Sequence, residues 1–171
     1  MDEQTIGVDP GLQGGIAVLR LGETAPVFYE IPRDSIDEEE IDVVELYKIF
    51  TGIFNSAPKT RMFIEKQHAF PGQGVVSNSR IVGEYKTIRA VALISRYMCN
   101  SIVAVMTISS RVWQAHIYPK DIDKGLGKER SVIAYKQIFG EDKVPMTGVR
   151  KKKPHLGFID AALIAKYGSM L

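Results

Sequence analysis

Three carboxylates sit where a folded chain can bring them together. Asp9 follows the short β-branched run Thr5–Val8 and precedes Pro10-Gly11, a pair that forces a turn. Glu65 closes Arg61–Glu65, where Met62 and Ile64 alternate against Phe63. Asp160 opens the helical run Ile159–Gly168. Each has an ordinary alternative use. Asp9 suits a turn, and Asp160 suits a helix N-cap. Glu65 is harder to explain that way, because the wholly apolar Met62-Phe63-Ile64 leads into it and a carboxylate there needs a partner. Three close carboxylates repel one another unless something positive lies between them. Hard divalent cations with oxygen ligands meet that need. Two such ions about 4 Å apart activate a water and stabilise the leaving oxygen of a phosphodiester. Acids without a Cys/His cluster therefore point to metal-assisted phosphoryl transfer.

The elements that must position these acids follow from periodicity. Thr5–Val8, Gly15–Leu21 and Val27–Ile31 read as three strands with short, antiparallel connections. Val43, Tyr47, Phe50 and Phe54 fall on one helical face, preceded by acids that suit the positive end of the helix dipole. Arg61–Glu65 is a fourth strand and Ile102–Met106 a fifth. Ser79–Met98 reads as a long helix, Ser109–His116 and Glu129–Phe139 as shorter ones, and Ile159–Gly168 as the last. Strands that follow crossover helices lie parallel to an earlier strand. The expected class is therefore α/β, a mixed five-stranded sheet flanked by helices, forming one domain over residues 1–171. If the first and fourth strands pair in parallel, Asp9 and Glu65 emerge at the same sheet edge. Ala161, Ala162 and Ala165 let the last helix approach closely enough for Asp160 to join them.

Bulk properties limit the alternatives. The 171 residues are 45% hydrophobic and 25% charged, ordinary for a globular protein. Net charge is only +2, but acids cluster at 34–45 and bases at 143–153. The acidic run reads as a solvated start to a helix. The basic run leaves room for a positive face. Cys99 is the only cysteine, so no internal disulfide can form, and it reads as a small core residue. No apolar run approaches the ~18 residues of a membrane span. An acidic, polar N-terminus is unlike a secretory signal. A cytoplasmic location, in a bacterial cell or a phage-infected host, is the expectation.

The motifs resemble a known family. Ile6-Gly7-Val8-Asp9-Pro10-Gly11 followed by Gly14–Leu19 looks like the opening hairpin of RuvC-type Holliday-junction resolvases, members of the RNase H-like nuclease superfamily. Ile64-Glu65-Lys66-Gln67 with Phe70–Gly74 resembles the second acidic motif of the phage-type branch, and Gly83 also matches. Asp160–Ala165 is similar to the family's terminal Asp-Ala-Leu-Ala helix. The resemblance runs from residue 5 to 168. It implies an RNase H-like fold, a homodimer, and cleavage of four-way or other branched DNA by paired nicks. Two Mg²⁺ ions per site are implied, with Mn²⁺ as a substitute, held by Asp9, Glu65 and Asp160. One departure stands out. The family places a fourth ligand, Asp or His, three or four positions before the terminal Asp, where this chain has Gly157 and Leu156. His155 lies roughly 140° round from Asp160 on a continuous helix. It can act as a ligand or general base only if that helix begins after Pro154-His155; a phosphate or surface role is the other reading.

Phosphate contacts through Lys and Arg supply most nucleic-acid affinity. Arg150, Lys151, Lys152 and Lys153 precede the Asp160 helix, and Lys120, Lys124, Lys128 and Arg130 form a second basic stretch. Both are candidate DNA contacts, with solvated surface as the alternative. In the loop after Glu65, His68 and Phe70 are placed to meet DNA, Phe70 by stacking or wedging at a junction centre. Phe70 can equally pack back on the long helix. Tyr85, Ile88, Arg89 and Ala92 suit either a symmetry mate or the chain's own sheet. Three rivals remain. An actin-like kinase needs two such domains, and no phosphate loop is present. A branched-DNA-binding module without catalysis is kept open by the missing fourth ligand. A flap- or RNA-directed nuclease would use the same acids.

Overall fold

Side-chain alternation organises the molecule. In β1 (Glu3–Asp9), Ile6 and Val8 point to one face and Thr5, Gly7 and Asp9 to the other. The computed structural model, which supplies this description, covers residues 3–11, 13–67, 75–147 and 153–171, without the side chains of 75–78 and 124. β2 (Gly15–Arg20), β3 (Val27–Glu30), β4 (Lys59–Glu65) and β5 (Ile102–Ile108) complete a five-stranded sheet ordered β3-β2-β1-β4-β5. β1–β2 and β2–β3 are antiparallel, whereas β1–β4 and β4–β5 are parallel. This is the mixed sheet expected from the order of elements.

Helices cover both faces. α1 (Val43–Asn55) and α2 (Val75–Tyr97) pack on the Ile6/Val8/Met62/Ile64 face. The Asp42 side chain caps α1 by accepting from the Glu45 N–H at 2.9 Å, so part of the acidic run does start a helix. Ile88 and Ala92 are buried in this core, so the α2 face bearing them serves the chain's own sheet, while Arg89 is exposed. α2 begins four residues before Ser79, because Val75–Asn78 continue the helix without a cap signal that periodicity could detect.

The opposite face holds α3 (Ser110–Ile117), α4 (Glu129–Phe139) and α5 (Leu156–Ser169). α5 lies directly across β1 and β2. A β-carbon at Gly7 would collide with the backbone of Ala161 and Ala165, and one at Gly157 with the Gln13 carbonyl. Nearly every side chain of α5 from Ile159 to Ala165 is buried, and Asp160 is its one acidic residue. A short ladder of β6 (Met146–Thr147) with β7 (Lys153–Pro154) precedes it, too brief to read from periodicity. Among the described residues, no helix is long and apolar enough to cross a membrane.

Candidate active site

The parity of the strands decides where the acids point. Gly7 faces α5, so Asp9, two residues on, does too. Phe63 packs in the α5-side core, so Glu65 leaves β4 on the same side. The parallel register pairs Val8 with Ile64, so the two strands end side by side. Asp160 meets them from α5, brought down by the close contacts at Gly7 and Gly157. Three separate elements thus deliver three carboxylates to the C-terminal edge of β1 and β4.

Their ionisation registers this proximity. Burial is the main force raising the Asp9 pKa to about 8, with Asp160 and Glu65 adding to it; the Gly11 N–H, 3.0 Å from Oδ1, and Lys128 oppose it. Burial also raises Glu65 to about 7. Hydrogen bonds from Trp113 Nε1 to Oε1 (3.0 Å) and Gln67 Nε2 to Oε2 (3.2 Å) work against that, and Asp160 works with it. Asp160 is raised to about 6 by burial, countered by the Ser131 hydroxyl and Lys128. Its Oδ1 is buried with no hydrogen-bond partner among the described residues.

This donor set suits a hard divalent cation. It offers oxygen only, burial raises the pKa of all three acids, and among the described residues Asp160 Oδ1 has no hydrogen-bond partner. The three acids share one electrostatic neighbourhood without closing to chelating distance. Among the described residues, no three His, Cys, Asp or Glu side chains sit at metal-binding spacing.

His155 is drawn into a different role. α5 begins at Leu156, so the condition for His155 to bend inward is met. Its Nδ1, however, accepts from the Phe158 N–H at 3.2 Å as the helix N-cap. Its ring stacks on Phe158 at 3.9 Å, which in turn stacks on Phe28. It also lines a 550 Å³ cleft with Glu30 and Arg33.

The basic candidates divide. Lys128 is exposed at the start of α4 and its charge reaches both Asp9 and Asp160. Lys128 and the exposed Lys153 border one apolar groove of about 490 Å³ with Lys136, Val132 and Leu156. Lys120 is exposed on the loop after α3. Arg130 is half-buried, its guanidinium 4.5 Å from the Tyr118 ring centre. His68, Phe70, Arg150, Lys151, Lys152 and the side chain of Lys124 lie outside the described residues. Sequence reasoning missed Trp113, Tyr118 and Ser131. Trp113 is the only tryptophan, a signal for a special site, but nothing in its spacing ties it to Glu65.

No protein-family model and no curated protein matches the chain by sequence. Solved structures do match. Thermus thermophilus RuvC in complex with a Holliday junction substrate superposes with a TM-score of 0.66 at 12% identity, covering 98% of this chain and 92% of that one. The Thermus thermophilus RuvC structure gives 0.62 at 14%, covering 97% and 93%. The fold is that of RuvC. Likeness to RuvC therefore extends over both β1–β4 pairing and the α5 face, the features that assemble the carboxylates here.

Proposed function

We propose that this chain is a divalent-metal-dependent endodeoxyribonuclease that resolves four-way or other branched DNA by phosphodiester hydrolysis. One observation carries the proposal: β1, β4 and α5 of a RuvC fold bring Asp9, Glu65 and Asp160 to one sheet edge, where burial raises their pKa values to about 8, about 7 and about 6. The RuvC neighbour in complex with a Holliday junction supports the choice of branched DNA.

Asp9, Glu65 and Asp160 would hold the metal, Mg²⁺ with Mn²⁺ as a substitute and two ions per site. The bound metal supplies Lewis-acid polarisation of the phosphate and an acidified water. Lys128 stands close enough to the acids to steer the scissile phosphate toward them. Lys153 and Lys120, with Lys124, Arg130 and Arg150–Lys152, extend the phosphate track, and His68 and Phe70 would meet the junction centre. Arg130 contributes less directly, since its guanidinium is engaged over Tyr118. His155 enters as a ligand or general base only through Nε2, because Nδ1 is the helix cap. Paired nicks require two copies. α2 and the start of β5 leave Ile94, Tyr97, Met98 and Ile102 exposed, an apolar strip suited to a homodimer.

Incubation with four-way junctions, flaps, duplex DNA and RNA in Mg²⁺ or Mn²⁺ tests the proposal. Symmetric junction nicks support it; preferential cutting of flaps or RNA overturns the substrate assignment. Binding without cleavage is the second reading, favoured by Gly157 and Leu156 where the family has its fourth ligand.

A further inference from the structure

A continuous set of side chains runs behind the carboxylates. Trp113 on α3 is 1% exposed and directs its indole N–H at Glu65 Oε1. Its ring meets Tyr118 edge-on, with centroids 5.5 Å apart and planes at 82°. The Tyr118 hydroxyl lies 2.7 Å from Ser131 Oγ. Ser131, buried in the first turn of α4, lies close enough to Asp160 for its hydroxyl to lower that carboxyl's pKa.

An indole N–H only donates, so Trp113 is the donor to Glu65. A carboxylate ionised beside a cation only accepts, so with a cation bound Ser131 would donate toward Asp160 and Tyr118 to Ser131. In that state the hydrogens of the set would point toward the acids, from Trp113 at Glu65 and from Ser131 at Asp160. Packing alone has no need of this alignment, since a phenylalanine at 118 would fill the same space.

We propose that Trp113, Tyr118 and Ser131 form an outer brace that positions Glu65 and Asp160 for a divalent cation. The inference rests on the reading of Asp9, Glu65 and Asp160 as a metal site. The three are positioning residues, which act through Glu65 and Asp160. The brace holds Glu65 through one oxygen, and Asp160 Oδ1 has no partner among the described residues. Partners of this kind orient the ligands they touch, and their loss typically weakens metal binding about 10–100-fold.

The test measures Mn²⁺ binding to the DNA-free full chain by electron paramagnetic resonance, with the melting temperature recorded beside it. The variants are Tyr118→Phe, Ser131→Ala and Trp113→Phe, with Asp160→Asn as the control. Tyr118→Phe and Ser131→Ala are each expected to weaken Mn²⁺ binding about 10-fold while the protein stays folded. The double variant is expected to bind no worse than the weaker single one, because both cut the same chain. If Trp113→Phe does not fold, Tyr118→Phe, which keeps its ring, decides alone. Variants that melt lower yet bind Mn²⁺ within threefold of the parent overturn the brace and leave the metal site standing, provided Asp160→Asn abolishes binding. A parent chain that binds no Mn²⁺ overturns the metal site and the brace together.

Discussion

Replacing Asp9 by Asn is expected to flatten the pH dependence of stability in metal-free protein. In the unfolded chain Asp9 titrates near 3.8, whereas in the folded chain burial and its two acidic neighbours raise it to about 8. Between those values the folded state keeps a proton that the unfolded state has lost. Stability is then fully present below the unfolded pKa and falls as pH rises toward the folded one. One proton difference is worth about 1.4 kcal/mol per pH unit, so Asp9 alone removes roughly 4 kcal/mol between pH 5 and pH 8. That is a large part of the 5–15 kcal/mol stability typical of a domain. Glu65 and Asp160, raised to about 7 and about 6, act in the same direction over narrower windows. Urea unfolding in a chelator at pH 5 and pH 8 measures the effect. The parent is expected to lose several kcal/mol across that interval and Asp9→Asn markedly less. Adding Mg²⁺ at pH 8 should restore the parent but not the variant. An identical pH slope in both proteins refutes the electrostatic account of Asp9.

Four further outcomes are expected. Gly7→Val drives a side chain into the backbone of Ala161 and Ala165; it should cost about 3 kcal/mol or more and abolish cleavage, whereas normal turnover with an unchanged melting temperature would mean α5 does not set the site. His155→Asn keeps an N-cap acceptor while removing the imidazole, so retained Mg²⁺-dependent turnover is expected if Nδ1 capping is its work; lost turnover in a stable variant would place Nε2 at the metal. Lys128→Ala and Lys153→Ala should each lower junction affinity and reduce the salt slope by about 1, and an unchanged slope removes that lysine from the phosphate track. Trp113, the single tryptophan and in contact with Glu65, should change its emission when Mg²⁺ is added, and the change should vanish in Asp160→Asn.

The convergence of Asp9, Glu65 and Asp160 on one sheet edge was legible because strand parity and turn chemistry are local. The Thr5–Val8 run, the Pro10-Gly11 turn and the Met62-Phe63-Ile64 alternation fix where β1 and β4 stop and which way their last residues face. The small residues of α5 marked a helix packed tightly enough to bring Asp160 down. What spacing did not carry was long-range pairing. Trp113 meets Glu65 across 48 positions, and Ser131 meets Asp160 from another helix; neither follows from any period. His155 shows the converse, since its spacing raised a ligand role while a local cap and the Phe158 ring claim one of its nitrogens. The α2 face bearing Ile88 and Ala92 was ambiguous for the same reason, because its partner is a sheet formed by distant strands.

The most direct measurement is cleavage of a labelled four-way junction by the parent chain and by Asp9→Asn, Glu65→Gln and Asp160→Asn, with Mg²⁺ and with chelator. The account expects symmetric nicks from the parent in Mg²⁺ alone, and at least a hundredfold loss (about 2.7 kcal/mol at the transition state) in each variant that still binds the junction. Cleavage that survives in Asp160→Asn, or proceeds unchanged in chelator, would contradict it.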